Sequence, residues 1–162
     1  MAAEKRTREG EAVTALILEV FRLNGRLLLA GDRLVSDLGL TSARWQILGA
    51  IAYAEQPESV AWHARSLGVH RQGVQRIVNE MRKEGIVDFQ PNPQHKRAHL
   101  VVLTAQGQKL YEAAIARQNP WVNDLSQGLS AAEIAAAHKV IGLLRARLQQ
   151  ASAQQEENPG QG

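Results

Sequence analysis

The stretch LGVHRQGVQRIVNEMRKEGIVDFQPNPQHKR, residues 67–97, decides the fold. Its first half enters through a glycine turn into a short amphipathic helix, predicted over residues 70–84 and closed by a second glycine. Its second half predicts a strand over residues 86–90, a proline-bearing basic loop, and a Val/Leu-rich return strand over residues 98–103. These elements predict a helix–turn–helix followed by a β-hairpin in the middle of the chain.

The helix over residues 70–84 has one apolar stripe and one polar face. Val74, Ile77, Val78 and Met81 recur at i, i+3, i+4 and i+7, the spacing of a buried stripe. The opposite face carries side chains that hydrogen-bond base edges, since Arg pairs with guanine and Gln and Asn pair with adenine. For any single residue, a solvated surface face is an equally good interpretation. The candidate DNA-binding residues of this helix are Arg71, Gln72, Gln75, Arg76 and Asn79.

The loop over residues 91–97 is too long for a tight two-residue hairpin turn, and its tip is basic. It carries His95, Lys96 and Arg97, of which Arg97 could enter a minor groove and Lys96 could contact phosphate. The alternative is a solvated basic loop. From Arg65 to Arg97 the sequence holds seven Lys and Arg against three acidic residues, a net +4, whereas the whole chain carries +3. Positive charge concentrated in one subregion is typical of nucleic-acid binding.

Helices flank this central motif on both sides. The first, over residues 11–29, is apolar over a wider arc than one packing partner requires. Thr41 and Thr104 are predicted N-caps of later helices. Ser130 and Glu133 form a capping box that opens a last helix, which we expect to end at about residue 150. Helices at both ends of the chain are a natural place for a partner subunit.

Composition limits the function classes. The chain has 162 residues, 44% apolar and 22% charged, as expected for one globular domain or a small two-lobed unit. The absence of cysteine excludes a disulfide framework, a thiolate zinc site and a cysteine redox switch. No apolar run approaches the ~20 residues of a membrane helix, and the N-terminus lacks a secretory pattern. We therefore expect a cytoplasmic protein without a membrane partner.

Enzymatic chemistry has no motif in this sequence. We find no Gly-rich phosphate loop, no nucleophile elbow and no paired catalytic carboxylates. The five histidines show no zinc-ligand spacing within one helix. We expect no catalytic residues, no metal and no cofactor.

Three side chains are candidates for an effector pocket. Trp45 and Trp62 could line such a pocket, although aromatic residues at helical spacing are more often part of the core. Arg26 could anchor an anionic effector, although a solvated helix face is the simpler explanation. Effector binding by Trp45, Trp62 and Arg26 is therefore a hypothesis.

Four segments give the chain a family resemblance: LTSARWQIL (40–48), ARSLGVHRQGVQR (64–76), GIV (85–87) and NPQHKRAHLVVLTAQG (92–107). The chain resembles the MarR (multiple antibiotic resistance regulator) family of winged-helix transcription factors, from about residue 11 to residue 150. Two positions depart from the family pattern. The wing has His95 where the family usually has Asp, which changes how the wing is braced. His70 stands where Ser or Thr usually caps the recognition helix, so capping there should be weaker.

The resemblance implies a mainly α (α+β) fold: a winged helix–turn–helix with flanking N- and C-terminal dimerisation helices. It implies a homodimeric repressor that binds a pseudo-palindromic operator in double-stranded DNA and is relieved by a small aromatic or phenolic ligand. The alternative is a winged-helix protein-interaction module without specific DNA readout. We expect one domain over residues 11–150, with a DNA-binding lobe over 41–103, dimerisation helices over 11–31 and 104–150, a disordered arm over 1–10 and a disordered tail over 151–162.

Overall fold

The computed structural model describes residues 5–157, in which helices surround a small antiparallel sheet. The predicted fold class, mainly α with a winged helix–turn–helix, is confirmed. The elements in chain order are α1 (Arg8–Val35), a 3-10 turn (Ser36–Leu38), α2 (Ser42–Tyr53), β1 (Glu58–Ser59), α3 (Val60–Leu67), α4 (Arg71–Lys83), β2 (Val87–Gln90), β3 (Leu100–Leu103), α5 (Ala105–Leu125) and α6 (Ala131–Glu157).

The sheet has the order β1-β3-β2, and both pairings are antiparallel. Phe89 of β2 and Glu58 of β1 both lie opposite Val101, which is buried at the centre. The sequence analysis did not predict the short strand β1. Ser59 caps α3, and its hydroxyl accepts a hydrogen bond of 3.3 Å from the Trp62 amide.

The helices at both chain ends are longer than predicted. The predicted disordered arm over residues 1–10 is wrong for residues 8–10, because Thr7 caps α1 by accepting a hydrogen bond from the Gly10 amide. The predicted disordered tail over residues 151–162 is wrong for residues 151–157, which continue α6. Those seven residues are Ala, Ser, Gln and Glu, mostly good helix formers, whereas the Pro and Gly of the tail follow them. Residues 1–4 and 158–162 lie outside the described part.

The core of the first compact unit, which ends at Asn119, is formed around the winged helix. The stripe predicted for α4 is buried at Val74, Val78 and Met81, with Ile77 partly buried against the same cluster. This burial fixes the rotation of α4, so its polar face points away from the core.

The second unit begins at Pro120 and contains the end of α5 and α6. The predicted capping box opens α6: the Ser130 amide donates to Glu133 at 2.8 Å, and the Glu133 amide donates to the Ser130 hydroxyl at 3.2 Å. The Ser130 hydroxyl also donates to the Glu133 carboxylate at 2.6 Å, and this bond, followed by the one from the Ser130 amide, lowers the pKa of Glu133.

One junction joins the end of α4, the sheet and the start of α5. The Thr104 hydroxyl donates to the carbonyls of Gly85 at 2.6 Å and Ile86 at 3.1 Å, and it accepts from the Gly107 amide at 3.0 Å. Gly107 is buried, and a Cβ there would overlap the carbonyl oxygen of Ile86. The first turn of α5 therefore lies directly on the turn that follows α4, which adopts positive φ at Gly85.

We predict that Gly107→Ala destabilises the protein by roughly 3 kcal/mol, because the new methyl group must displace backbone. The matched control is Gly73→Ala in α4, where a Cβ would meet no atom within 4 Å. That change should stabilise by about 1 kcal/mol through helix propensity. Thermal unfolding of both variants measures the two effects, and equal stability of the two would contradict the close approach at Gly107.

Candidate nucleic-acid interface

The outer face of α4 forms an open concavity in the described structure. Arg71, Gln72, Arg76 and Asn79 are exposed, and Gln75 is half-buried. All five side chains of α4 that were predicted to bind DNA line this one surface. The sequence analysis missed two further members, Glu80 and Lys83, although their i+4 relation to Arg76 and Asn79 was available as a signal. The recognition concavity is lined by Arg71, Gln72, Gln75, Arg76, Asn79, Glu80 and Lys83.

Two pairs of side chains within the recognition concavity are hydrogen-bonded to each other. The amide nitrogen of Gln75 donates to the amide oxygen of Asn79 at 3.0 Å. The guanidinium of Arg76 donates to the carboxylate of Glu80, also at 3.0 Å. Exposed i,i+4 pairs stabilise a helix by only about 0.2–0.5 kcal/mol, so DNA can compete with them. Each pair brings its two side chains together on the outer face of α4.

The wing is the loop between β2 and β3, and its tip carries the exposed residues His95, Lys96 and Arg97. The side chain of Asn92 braces this tip. The side-chain oxygen of Asn92 accepts hydrogen bonds from the backbone amides of Gln94 at 2.9 Å and His95 at 3.3 Å. Such an Asx turn fixes local backbone geometry. The presence of His rather than Asp at position 95 therefore removes a carboxylate, but the hydrogen bonds to Asn92 still brace the tip.

The base of the wing is attached to the last turn of α4 through Arg82. Its guanidinium donates to Asp88 of β2 at 3.1 Å and lies 5.1 Å from the centroid of the Phe89 ring. The Phe89 amide and then Arg82 lower the pKa of Asp88 by hydrogen bonding to its carboxylate. These contacts hold the wing and α4 in a fixed relation. Arg82 and Asp88 were counted in the charge of the region, but nothing in their spacing indicated this contact.

Helix α2 also contacts the end of α4 through an ion pair. Arg44, in the first turn of α2, forms an ion pair with Glu84 at the end of α4 and donates to the carbonyl of Gly39 at 3.4 Å. At the other end of α4, His70 gives no side-chain cap, as its identity predicted. The C-terminal end of the recognition helix is thus more tightly fixed than its first turn.

Helices α1 and α2 approach each other closely at Ser42. Its amide donates to Asp32 at 2.6 Å, and its hydroxyl donates to the carbonyl of Leu28 at 2.7 Å. A Cβ at Gly31 would overlap that hydroxyl, so a larger residue there would displace the Ser42 side chain from its bond to Leu28. The Thr41 hydroxyl accepts a hydrogen bond of 3.3 Å from the Arg44 amide, which confirms the predicted N-cap.

The candidate effector residues lie on three different helices. Trp45 of α2 is half-buried and packs on the core. Trp62 of α3 is half-buried, and its ring lies edge-on to that of His63 with 5.3 Å between the ring centroids. Arg26 is exposed on α1. Their assignment to an effector site therefore stays a prediction.

His63 is the buried polar residue that the sequence analysis did not single out. Its side chain is fully buried, and neither ring nitrogen has a hydrogen-bond partner in the described structure. Burial lowers the pKa of His63, and nearby Glu58 opposes that shift. The ring of the neighbouring Trp62 stands edge-on to that of His63, at an interplanar angle of 87°.

Two classes of site are not found within residues 5–157. No group of three or more His, Asp or Glu in this part is arranged to hold a metal ion. None of its helices is both long enough and apolar enough to cross a membrane.

Comparison with known proteins places this interface in a family. The sequence model of the MarR family matches residues 38–98. An uncharacterized protein of Mycobacterium tuberculosis is 33% identical over 126 residues, which are 78% of this chain and 87% of the relative. The transcriptional activatory protein BadR of Rhodopseudomonas palustris is 30% identical over 121 residues, 69% of each chain.

Solved structures agree on the fold. The MarR family transcription regulator SP03579 is 25% identical, with a TM-score of 0.71 over 89% of this chain and 95% of the other. CouR from Rhodococcus jostii, solved with p-coumaroyl-CoA, is 18% identical, with a TM-score of 0.73 over 80% of this chain and 91% of the other. The chain belongs to the MarR family of winged-helix transcriptional regulators.

Proposed function

We propose that the protein is a homodimeric repressor that binds a pseudo-palindromic operator in double-stranded DNA. In each subunit α4 enters the major groove, and the wing tip lies on the backbone or in the minor groove. The observation that carries the proposal is the outward polar face of α4 beside the exposed cationic wing tip. Such a DNA target would place the protein in the cytoplasm.

The side chains divide into two roles under this proposal. Those in the middle of α4 read base edges, because they can pair with guanine or adenine. Those in the first turn of α4 and on the wing tip contact phosphate or the minor groove, which positions the protein without selecting sequence. The readers are Gln72, Gln75, Arg76 and Asn79, and the positioning residues are Arg71, His95, Lys96 and Arg97.

Exposed apolar side chains support a homodimer. On α1, Phe21 is 68% exposed, Leu29 55% and Leu18 50%. On α6, Leu148 is 69% exposed and Leu143 51%. Apolar surface of this extent on a single chain marks an interaction site. A second copy would cover it and would give the two recognition helices the symmetry of a palindromic operator.

Relief of repression by a small aromatic or phenolic ligand is the finer part of the proposal. CouR, which shares the fold, was solved with p-coumaroyl-CoA, a phenolic thioester. Trp45, Trp62 and Arg26 are the residues proposed to bind such a ligand. The ligand would act by favouring a dimer whose recognition helices are wrongly spaced for the operator. BadR is called an activator, so the direction of control requires its own test.

The rival function is a winged helix that binds a protein partner and does not read DNA. Salt dependence separates the two, because counterion release makes DNA affinity fall steeply as salt rises. Selection of duplexes from a random pool at moderate salt should return a palindromic motif. Failure to prefer any sequence over random duplex would favour the rival.

We predict different effects from two substitutions that each remove one positive charge. Arg76→Ala should reduce the preference for the selected operator over random duplex by about tenfold, through loss of a base contact. Lys96→Ala should weaken binding to both duplexes alike and reduce the salt slope by about one. Titrations at several salt concentrations measure both effects. Equal loss of specificity from the two variants would contradict the division of roles.

We predict that Phe21→Asp shifts the protein towards monomer, because the charge would be buried in the proposed dimer interface. Val69→Asp is the matched control, since Val69 is also exposed, at 51%, but lies in the turn before α4. Sedimentation velocity measures the oligomeric state. A wild-type monomer, or a dimer unaffected by Phe21→Asp, would remove α1 from the interface.

We predict that the protein lowers transcription in vitro from a promoter that carries the selected operator, and that p-coumaroyl-CoA restores it. Arg26→Ala should weaken this relief if Arg26 contacts the anionic ligand. An increase of transcript on adding protein would show activation instead of repression.

A further inference from the structure

We infer that Arg76 and Glu80 act as one unit that reads a G·C base pair, an inference that rests on the proposed function. Glu80 lies in the recognition concavity among Arg71, Arg76 and Lys83. A carboxylate on a surface that meets phosphates opposes binding by repulsion. Its presence there is explained if it contacts a base.

The Arg76–Glu80 pair keeps free hydrogen-bonding groups after its own bond is made. The guanidinium carries five N–H donors, and the bond to the Glu80 Oε1 atom, at 3.0 Å, uses one of them. The second carboxylate oxygen of Glu80 keeps its lone pairs. Both side chains are accessible, at 69% for Arg76 and 46% for Glu80. The pair can therefore present two donors and an adjacent acceptor without breaking its internal bond.

This order of groups matches the major-groove edge of one base pair. A G·C pair presents the N7 and O6 acceptors of guanine, followed by the N4 amino donor of cytosine. Arg76 fits the two guanine acceptors, and Glu80 fits the cytosine amino group. An A·T pair presents an acceptor, a donor and an acceptor. There one donor of Arg76 would still meet the adenine N7 atom, but its other donor would face the adenine amino group and Glu80 would face the thymine O4 atom, so these last two contacts would be repulsive.

The preference for a G·C pair therefore comes partly from the rejection of an A·T pair. Arg76 alone would favour guanine, but a flexible Arg can also contact other acceptors. Glu80 restricts it by holding the guanidinium in place and by rejecting thymine. The simpler possibility is that the pair only stabilises α4, as exposed i,i+4 pairs do.

The test is selection of duplexes from a random pool by the full-length wild type, Arg76→Ala and Glu80→Gln. Glu80→Gln keeps the size of the side chain, but its amide can also donate to thymine O4. We expect a G·C position in the wild-type motif at which Glu80→Gln accepts A·T, with discrimination reduced about tenfold. Arg76→Ala should lose its preference at that same position.

The control is Glu112→Gln on α5, which removes the same charge outside the recognition concavity. Glu112 is exposed and accepts a hydrogen bond of 2.9 Å from Gln108. This variant should keep the wild-type motif. An unchanged motif in Glu80→Gln, or changes at different positions in Glu80→Gln and Arg76→Ala, would overturn the inference. Absence of any motif in the wild type would instead overturn the proposed function.

Discussion

The contact of Gly107 and Thr104 with the turn at Gly85 and Ile86 is the constraint on which the interface depends. At this point the recognition helix ends, β2 begins and α5 starts. The Thr104 hydroxyl bonds both carbonyls of the turn, and the missing side chain at Gly107 allows the backbones to touch. Because the contact involves backbone, it places α4 and the hairpin independently of most side chains around them.

Sequence patterns predicted those parts of the fold that depend on local chemistry. The stripe of Val74, Val78 and Met81 gave the rotation of α4, and Thr41, Thr104 and Ser130 gave helix starts, because periodicity and capping act within a few residues. The two-residue strand β1 was missed, since it forms by pairing with distant residues of β3: Ser59 lies opposite Leu100 and Glu58 lies opposite Val101. The helical residues 151–157 were predicted to be part of a disordered tail, although the Pro and Gly of that tail all follow residue 157.

In the candidate site too, features within one helix were predictable and contacts between elements were not. The members of the α4 face were predictable because one helix carries them all. Their partners were not, since Arg82 meets Asp88 across a turn and Arg44 meets Glu84 from another helix. Of the seven cations between residues 65 and 97, Arg76 and Arg82 are in ion pairs. The number of cations in a region therefore overstates how many of them are unpaired and available to phosphate.

The close approach at Ser42 has a mechanical consequence. Two hydrogen bonds and the close approach at Gly31 oppose sliding of α1 along α2. In the proposed dimer, α1 packs against a second copy. Helices α1 and α2 of one subunit would then rotate together as a rigid unit. A tilt of α1 would then move the lobe that carries α4 with it. A rotation of α1 by a few degrees would therefore shift the position of α4 in the DNA groove.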